Sequence, residues 1–123
     1  MENRQPASTF DFGPALKRLG GDELLLKELA KIFVTDAPPV LDKLEQLIAA
    51  RDGDQAARMA HALKGMVVTF DDLERGLLMS ELVAALRESD WNEVGELFPR
   101  CRKIIEELID QCRLLLAASP SQQ

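Results

Sequence analysis

The chain has 123 residues, 15 Lys and Arg against 21 Asp and Glu, and a formal net charge of -6 at pH 7. That length suits one domain spanning 1-123, and 46% hydrophobic with 29% charged residues is a composition that folds. The acidic balance argues against nucleic-acid binding, the apolar runs are too short to cross a membrane, and the opening MENRQPASTF lacks the basic-then-apolar layout of a secretory signal, so a cytoplasmic protein is expected.

Residues 1-12 are polar and aperiodic and read as a flexible arm. Pro14 to Leu19 suits a short helical turn, stopped by Gly20-Gly21. Asp22 then caps a helix over 23-34, with Leu25, Leu26, Leu29, Ile32 and Phe33 as its apolar stripe. Asp36 opens the next helix, with Pro38 and Pro39 in its first turn and Val40, Leu41, Leu44, Leu47 and Ile48 at helical spacing. At Arg51-Asp52-Gly53-Asp54 the chain stops and restarts: Gly53 suits a left-handed position and Asp54 the next N-cap. The helix that follows runs to about Phe70.

Asp71 and Glu74 have capping-box spacing and start a helix through Leu77, Val83 and Leu86. Asp90 and Glu93 repeat that spacing before a last helix ending near Ala117, which Pro99 should kink or divide. Residues 118-123 should fray. Short loops between amphipathic helices force antiparallel neighbours. The expected fold is all-α: an antiparallel up-down four-helix bundle with an additional N-terminal helix, over 23-34, packed on it.

Scarcity limits the chemistry. His61 is the single histidine and there is no tyrosine, so a three-histidine zinc site is impossible. No nucleophile elbow, P-loop or dinucleotide-binding glycine motif is present. No metal site and no cofactor are expected. Cys101 and Cys112 fall on one face of one helix, about 16 Å apart along its axis, too far to pair with each other. They read as two reduced core thiols, with a thiol switch or a metal pair as the alternative.

The informative arithmetic lies on the helix over 55-70. With about 100° per residue and His61 at zero, Ala56, Met59, Leu63, Met66, Val67 and Phe70 cluster between about 140° and 240°, the expected buried stripe. His61 stands opposite, facing water. Ala57 and Gly65 lie one turn away on either side, Arg58 and Lys64 flank it, and Val68 adds an exposed apolar spot. A glycine inside a helix costs about 1 kcal/mol relative to alanine, so Gly65 points to a close approach by something, or to a tight helix crossing. An exposed neutral imidazole is a good nitrogen nucleophile. A phosphoryl group arriving there would find Lys64, and Arg58 beside it, to offset its charge. The competing reading is a solvated surface histidine with incidental neighbours.

Ala60-His61-Ala62-Leu63-Lys64-Gly65 resembles the A-H-x-L-K-G signature of histidine-containing phosphotransfer (HPt) domains. Phe10-Asp11, Ala15-Leu16, Leu19-Gly20-Gly21-Asp22, Leu25-Leu26, Phe33 and Asp36-Ala37-Pro38 are similar to that family too, as is the Gly53-Asp54 turn. The resemblance implies a four-helix bundle with the phosphoacceptor on its second bundle helix. It makes His61 the phosphorylation site, Lys64 the phosphoryl contact and Gly65 the small residue that lets a partner close in. Arg58, Ala57, Gly65 and Val68 would form the docking surface.

The implied partners are response-regulator receiver domains and a hybrid histidine kinase, with the protein a monomer and a phosphotransfer intermediate rather than a free-standing enzyme. Downstream the pattern departs: Met66 to Asp71 stand where the family usually has small residues and a glycine. A docking module that binds without transferring, and a direct kinase substrate of the chemotaxis type, are the alternatives.

Overall fold

The computed structural model describes residues 10-71 and 73-118. Five helices follow in chain order: α1 (Gly13–Arg18), α2 (Glu23–Ala49), α3 (Gly53–Val68), α4 (Glu74–Arg87) and α5 (Trp91–Ala118). Each of α2 to α5 packs on the next, and α5 closes the ring against α2. Gly53 at the start of α3 lies against the end of α4, whereas Val68 at its end lies against Gly76 near the start of α4, so the two helices run antiparallel. The fold is an antiparallel four-helix bundle with α1 as the additional N-terminal helix.

The segment 23-34 is not a separate helix. It is the first half of α2, which continues through Pro38 and Pro39. A proline inside a helix removes one donor and strains the turn before it. Here Phe33, Ala37 and Leu41, all buried around the prolines, hold the helix to the core regardless. Pro99 likewise lies inside an unbroken α5.

Caps mark several of the boundaries. Asp22 accepts from Leu25 N at 3.0 Å, and Asp90 accepts from Glu93 N at 3.2 Å. Gly20 and Gly21 take positive φ, 69° and 79°, and close α1 with Gly21 N donating to Leu16 O at 2.9 Å. At the α2–α3 turn the roles expected of Gly53 and Asp54 shift back along the chain. Arg51 takes the left-handed conformation (φ 59°), and Asp52 is the N-cap, accepting from Gln55 N at 3.1 Å. Gly53 opens α3 instead, where an added Cβ would meet Leu86 O at 2.8 Å.

Asp71 does not cap α4 in the expected way either; it accepts from Leu73 N at 3.0 Å and pairs with Arg75 at 2.7 Å. Leu77, expected in the core, is exposed. Residues 10-12 of the predicted arm are packed: Phe10 N donates to Gln111 Oε1 at 3.2 Å, and both Phe10 and Phe12 lie against the core. Residues 1-9 and 119-123 lie outside the described residues.

The buried side chains form one cluster, with Phe33, Phe70, Leu44, Leu63, Met79, Leu82, Leu86 and Ile105 among the largest. Cys101 and Cys112 belong to it as free thiols, and burial pushes both up to about 12. The Cys101 thiol donates to Leu78 O at 3.7 Å.

Candidate functional site

The centre of the site is the middle of α3. Its buried face is Ala56, Ala57, Ala60, Leu63 and Val67. The three alanines keep that face thin, and α3 packs against both α2 and α4. His61 and Ala62, between Ala60 and Leu63, point to solvent.

His61 is exposed, Lys64 half-buried, Arg58 and Gly65 exposed. Nothing lies within 4 Å of a Cβ built on Gly65, and its φ is not in the left-handed range. Neither a helix crossing nor the backbone therefore requires glycine at 65. The empty space beside the ring opens outward. Lys64 and Arg58 lie three residues to either side of His61 on the same helix.

Two of the expected docking residues are placed differently. Ala57 is buried, 4% exposed, and faces the neighbouring helices rather than a partner. Val68 is half-buried, and its Cγ1 lies 3.0 Å from where a Cβ on Gly76 would stand, so it packs on α4. The cause is the same for both: the buried arc of α3 is centred about 60° nearer Ala57 than the apolar residues alone imply.

A feature not read from the sequence lies on the other side of the exposed arc. Leu29, Ile32, Phe33, Met66, Thr69 and Phe70 line a shallow, mostly apolar groove between α2 and α3. Ile32, expected in the core, is 52% exposed there, and Met66 is half-buried. The signal was present in small residues. Once Ala30 and Ala37 are counted with Leu26, Phe33, Leu41 and Leu44, they complete the buried stripe of α2, and Ile32 falls outside it.

Among the described residues, no group of three or more His, Cys, Asp or Glu is placed to hold a metal ion, and no helix is long and apolar enough to cross a membrane.

The described residues form a helical bundle with one exposed histidine, His61, on an open face of α3 that also carries Arg58 and Lys64. The family model described as the Hpt domain matches residues 28–115, and the chain belongs to the HPt domain family. That family serves two-component signalling, working with receiver domains and kinases in phosphorelays. No curated protein matches the chain, and no solved structure does.

Proposed function

We propose that the protein is a cytoplasmic, monomeric histidine phosphotransfer protein, acting as a single domain, in which His61 takes a phosphoryl group from a receiver-domain aspartate and passes it to a second receiver. The observation that carries this reading is the exposed His61 in the middle of α3 with unfilled space over Gly65 beside it.

In the transfer, the lone pair of a ring nitrogen forms an N–P bond as the P–O bond to the receiver aspartate breaks. The carboxylate leaves with that electron pair, and the proton on the other ring nitrogen passes to water. Passage to the second receiver is the reverse step with a fresh carboxylate as nucleophile. The receiver brings the carboxylate and its metal. This chain brings the nucleophile, with Lys64 as phosphoryl contact and Arg58 to offset charge in the transition state.

Arg58 and Gly65, with Ala62, Met66 and Ile32 on the α2 side, form the surface a receiver covers. Exposed apolar side chains gathered on one face are a common mark of a docking surface.

The test is transfer from a receiver carrying radiolabelled aspartyl phosphate. The protein should acquire acid-labile, base-stable label. His61→Gln should abolish it while shifting unfolding by no more than about 0.5 kcal/mol, as expected of an exposed position. Label retained by the Gln variant would show the wrong site. Receiver binding without label on the wild-type protein would favour a docking module, and label acquired only from a kinase with ATP would favour a direct kinase substrate.

A further inference from the structure

Residues 10-27 precede the region 28–115 that matches the family, yet they hold the end of the helix that carries His61. Arg18, in the last turn of α1, donates through Nη2 to Thr69 O at 2.9 Å and to Val68 O at 3.4 Å. The Thr69 hydroxyl donates in turn to Gly65 O at 3.3 Å. A path of hydrogen bonds therefore runs from α1, through one residue, to the backbone one turn beyond His61. The last carbonyls of a helix lack intrahelical donors and carry the negative end of its dipole, so a guanidinium is a fitting partner for them.

Aromatic packing reinforces the same junction. Phe12 meets Phe70 edge-on at 6.0 Å between ring centres, and Phe70 meets Phe33 at 5.5 Å. On the other side of the turn, Arg75 lies over the Phe10 ring at 4.9 Å while paired with Asp71. Helix ends open before helix middles, and Lys64 and Gly65 lie within the last turn and a half of α3.

We infer that Arg18 is a positioning residue for phosphotransfer: by capping Val68 and Thr69 it keeps the last turn of α3 closed and, through Thr69, holds the Gly65 backbone and the Lys64 side chain in place beside His61. The inference rests on His61 being the phosphoacceptor. Arg18 acts through Thr69 and has no part in the bond-making step.

The experiment compares wild type with Arg18→Gln, Arg18→Lys, Thr69→Val and the Arg18→Gln/Thr69→Val double variant. Two things are read: amide hydrogen exchange along α3, and the rate of transfer from a phosphorylated receiver as a function of receiver concentration. Arg18→Gln should speed exchange at 66-70 by about tenfold, with the mid-helix amides of α2 and α5 unchanged, as for loss of one cap. It should slow transfer at saturating receiver by about three- to tenfold and leave the half-saturating concentration within about twofold, the pattern of a lost transition-state contact.

Arg18→Lys, which keeps a cation at the helix end, should recover part of the rate. The double variant should be no slower than the slower single variant, because both changes cut one path. Wild-type exchange at 66-70 in Arg18→Gln, multiplying effects in the double variant, or a change confined to the half-saturating concentration would each overturn the inference. If the wild-type protein takes no label on His61, the functional reading falls and this one with it. If it does, and Arg18→Gln transfers at the wild-type rate, only the positioning role falls.

Discussion

Replacing Gly65 by alanine separates folding from function more sharply than any other change in α3. Gly65 lies inside the helix, exposed, without a positive φ, and an added Cβ meets nothing within 4 Å. For the fold, the substitution only removes the entropic penalty of a mid-helix glycine, so Gly65→Ala should stabilise the protein by about 0.5–1 kcal/mol. In a domain of this size that raises Tm by about 2–5 °C. For the proposed reaction, the same methyl group would occupy the space beside the imidazole where the phosphoryl group and its receiver are proposed to come. Overpacking of that kind costs about 1–3 kcal/mol, or about 5- to 150-fold in transfer rate.

The paired assays are thermal unfolding followed by circular dichroism and transfer from a labelled receiver. Gly53 supplies the contrast within the same helix: its Cβ would stand 2.8 Å from Leu86 O and 3.0 Å from Ser89 Oγ, so Gly53→Ala should lose stability, by about 1–3 kcal/mol. A Gly65→Ala protein that is less stable than wild type, or that is more stable and still transfers at full speed, would refute the reasoning about this space.

Ile32→Asp, on the apolar groove, should cost less than about 1.5 kcal/mol of stability, because the side chain is already half exposed, and should weaken receiver binding by about tenfold as measured by titration calorimetry. Receiver affinity left unchanged would place the docking face elsewhere. Cys101 and Cys112 set a pH dependence: burial raises each thiol from 9.0 to about 12, so below pH 9 both states keep the proton and the contribution is complete. Between pH 9 and 12 only the unfolded chain ionises, and stability should fall by up to about 1.4 kcal/mol per pH unit for each thiol. With no tyrosine in the chain, urea unfolding at pH 8 and pH 10 reads this directly; equal stabilities would show that the thiols are not held in the core.

What the sequence disclosed about the fold was the chemistry local to each helix end. Asp22 and Asp90 were legible as caps because a carboxylate accepting from a backbone N–H three residues on depends on nothing distant. The errors lie where distant partners decide. Asp36 with Pro38-Pro39 has every local mark of a helix start, yet the buried stripe on both sides carries α2 straight through. Gly53 looked like the left-handed residue because glycine adopts that conformation freely. The Leu86 carbonyl, from another helix, claims the glycine for the first turn of α3, and Arg51 takes the left-handed conformation in its place. Residues 10-12 looked loose because their partners, Gln111 and Arg75, are far along the chain.

The exposed face of α3 was legible at His61 and displaced at its edges, for one physical reason. The buried stripe of α3 was located by its bulky members, Met59 and Met66, whereas the helix packs on its alanines. Ala56, Ala57 and Ala60 contribute little hydrophobic surface but permit close approach, and that turns the buried direction about 60° toward α4. His61 therefore lies not opposite the core but toward the α4 edge of the exposed arc, with half-buried Lys64 on its inner flank. Gly65, Arg58 and Ala62 span the open part of that arc, and Met66 marks its α2 edge beside Ile32. The point of transfer and the apolar hold are then separated by about 10 Å around the helix. On the proposed function a receiver spans both, so a change at Ile32 should appear in the concentration needed for half-maximal transfer, and a change at Gly65 in the rate once the receiver is bound.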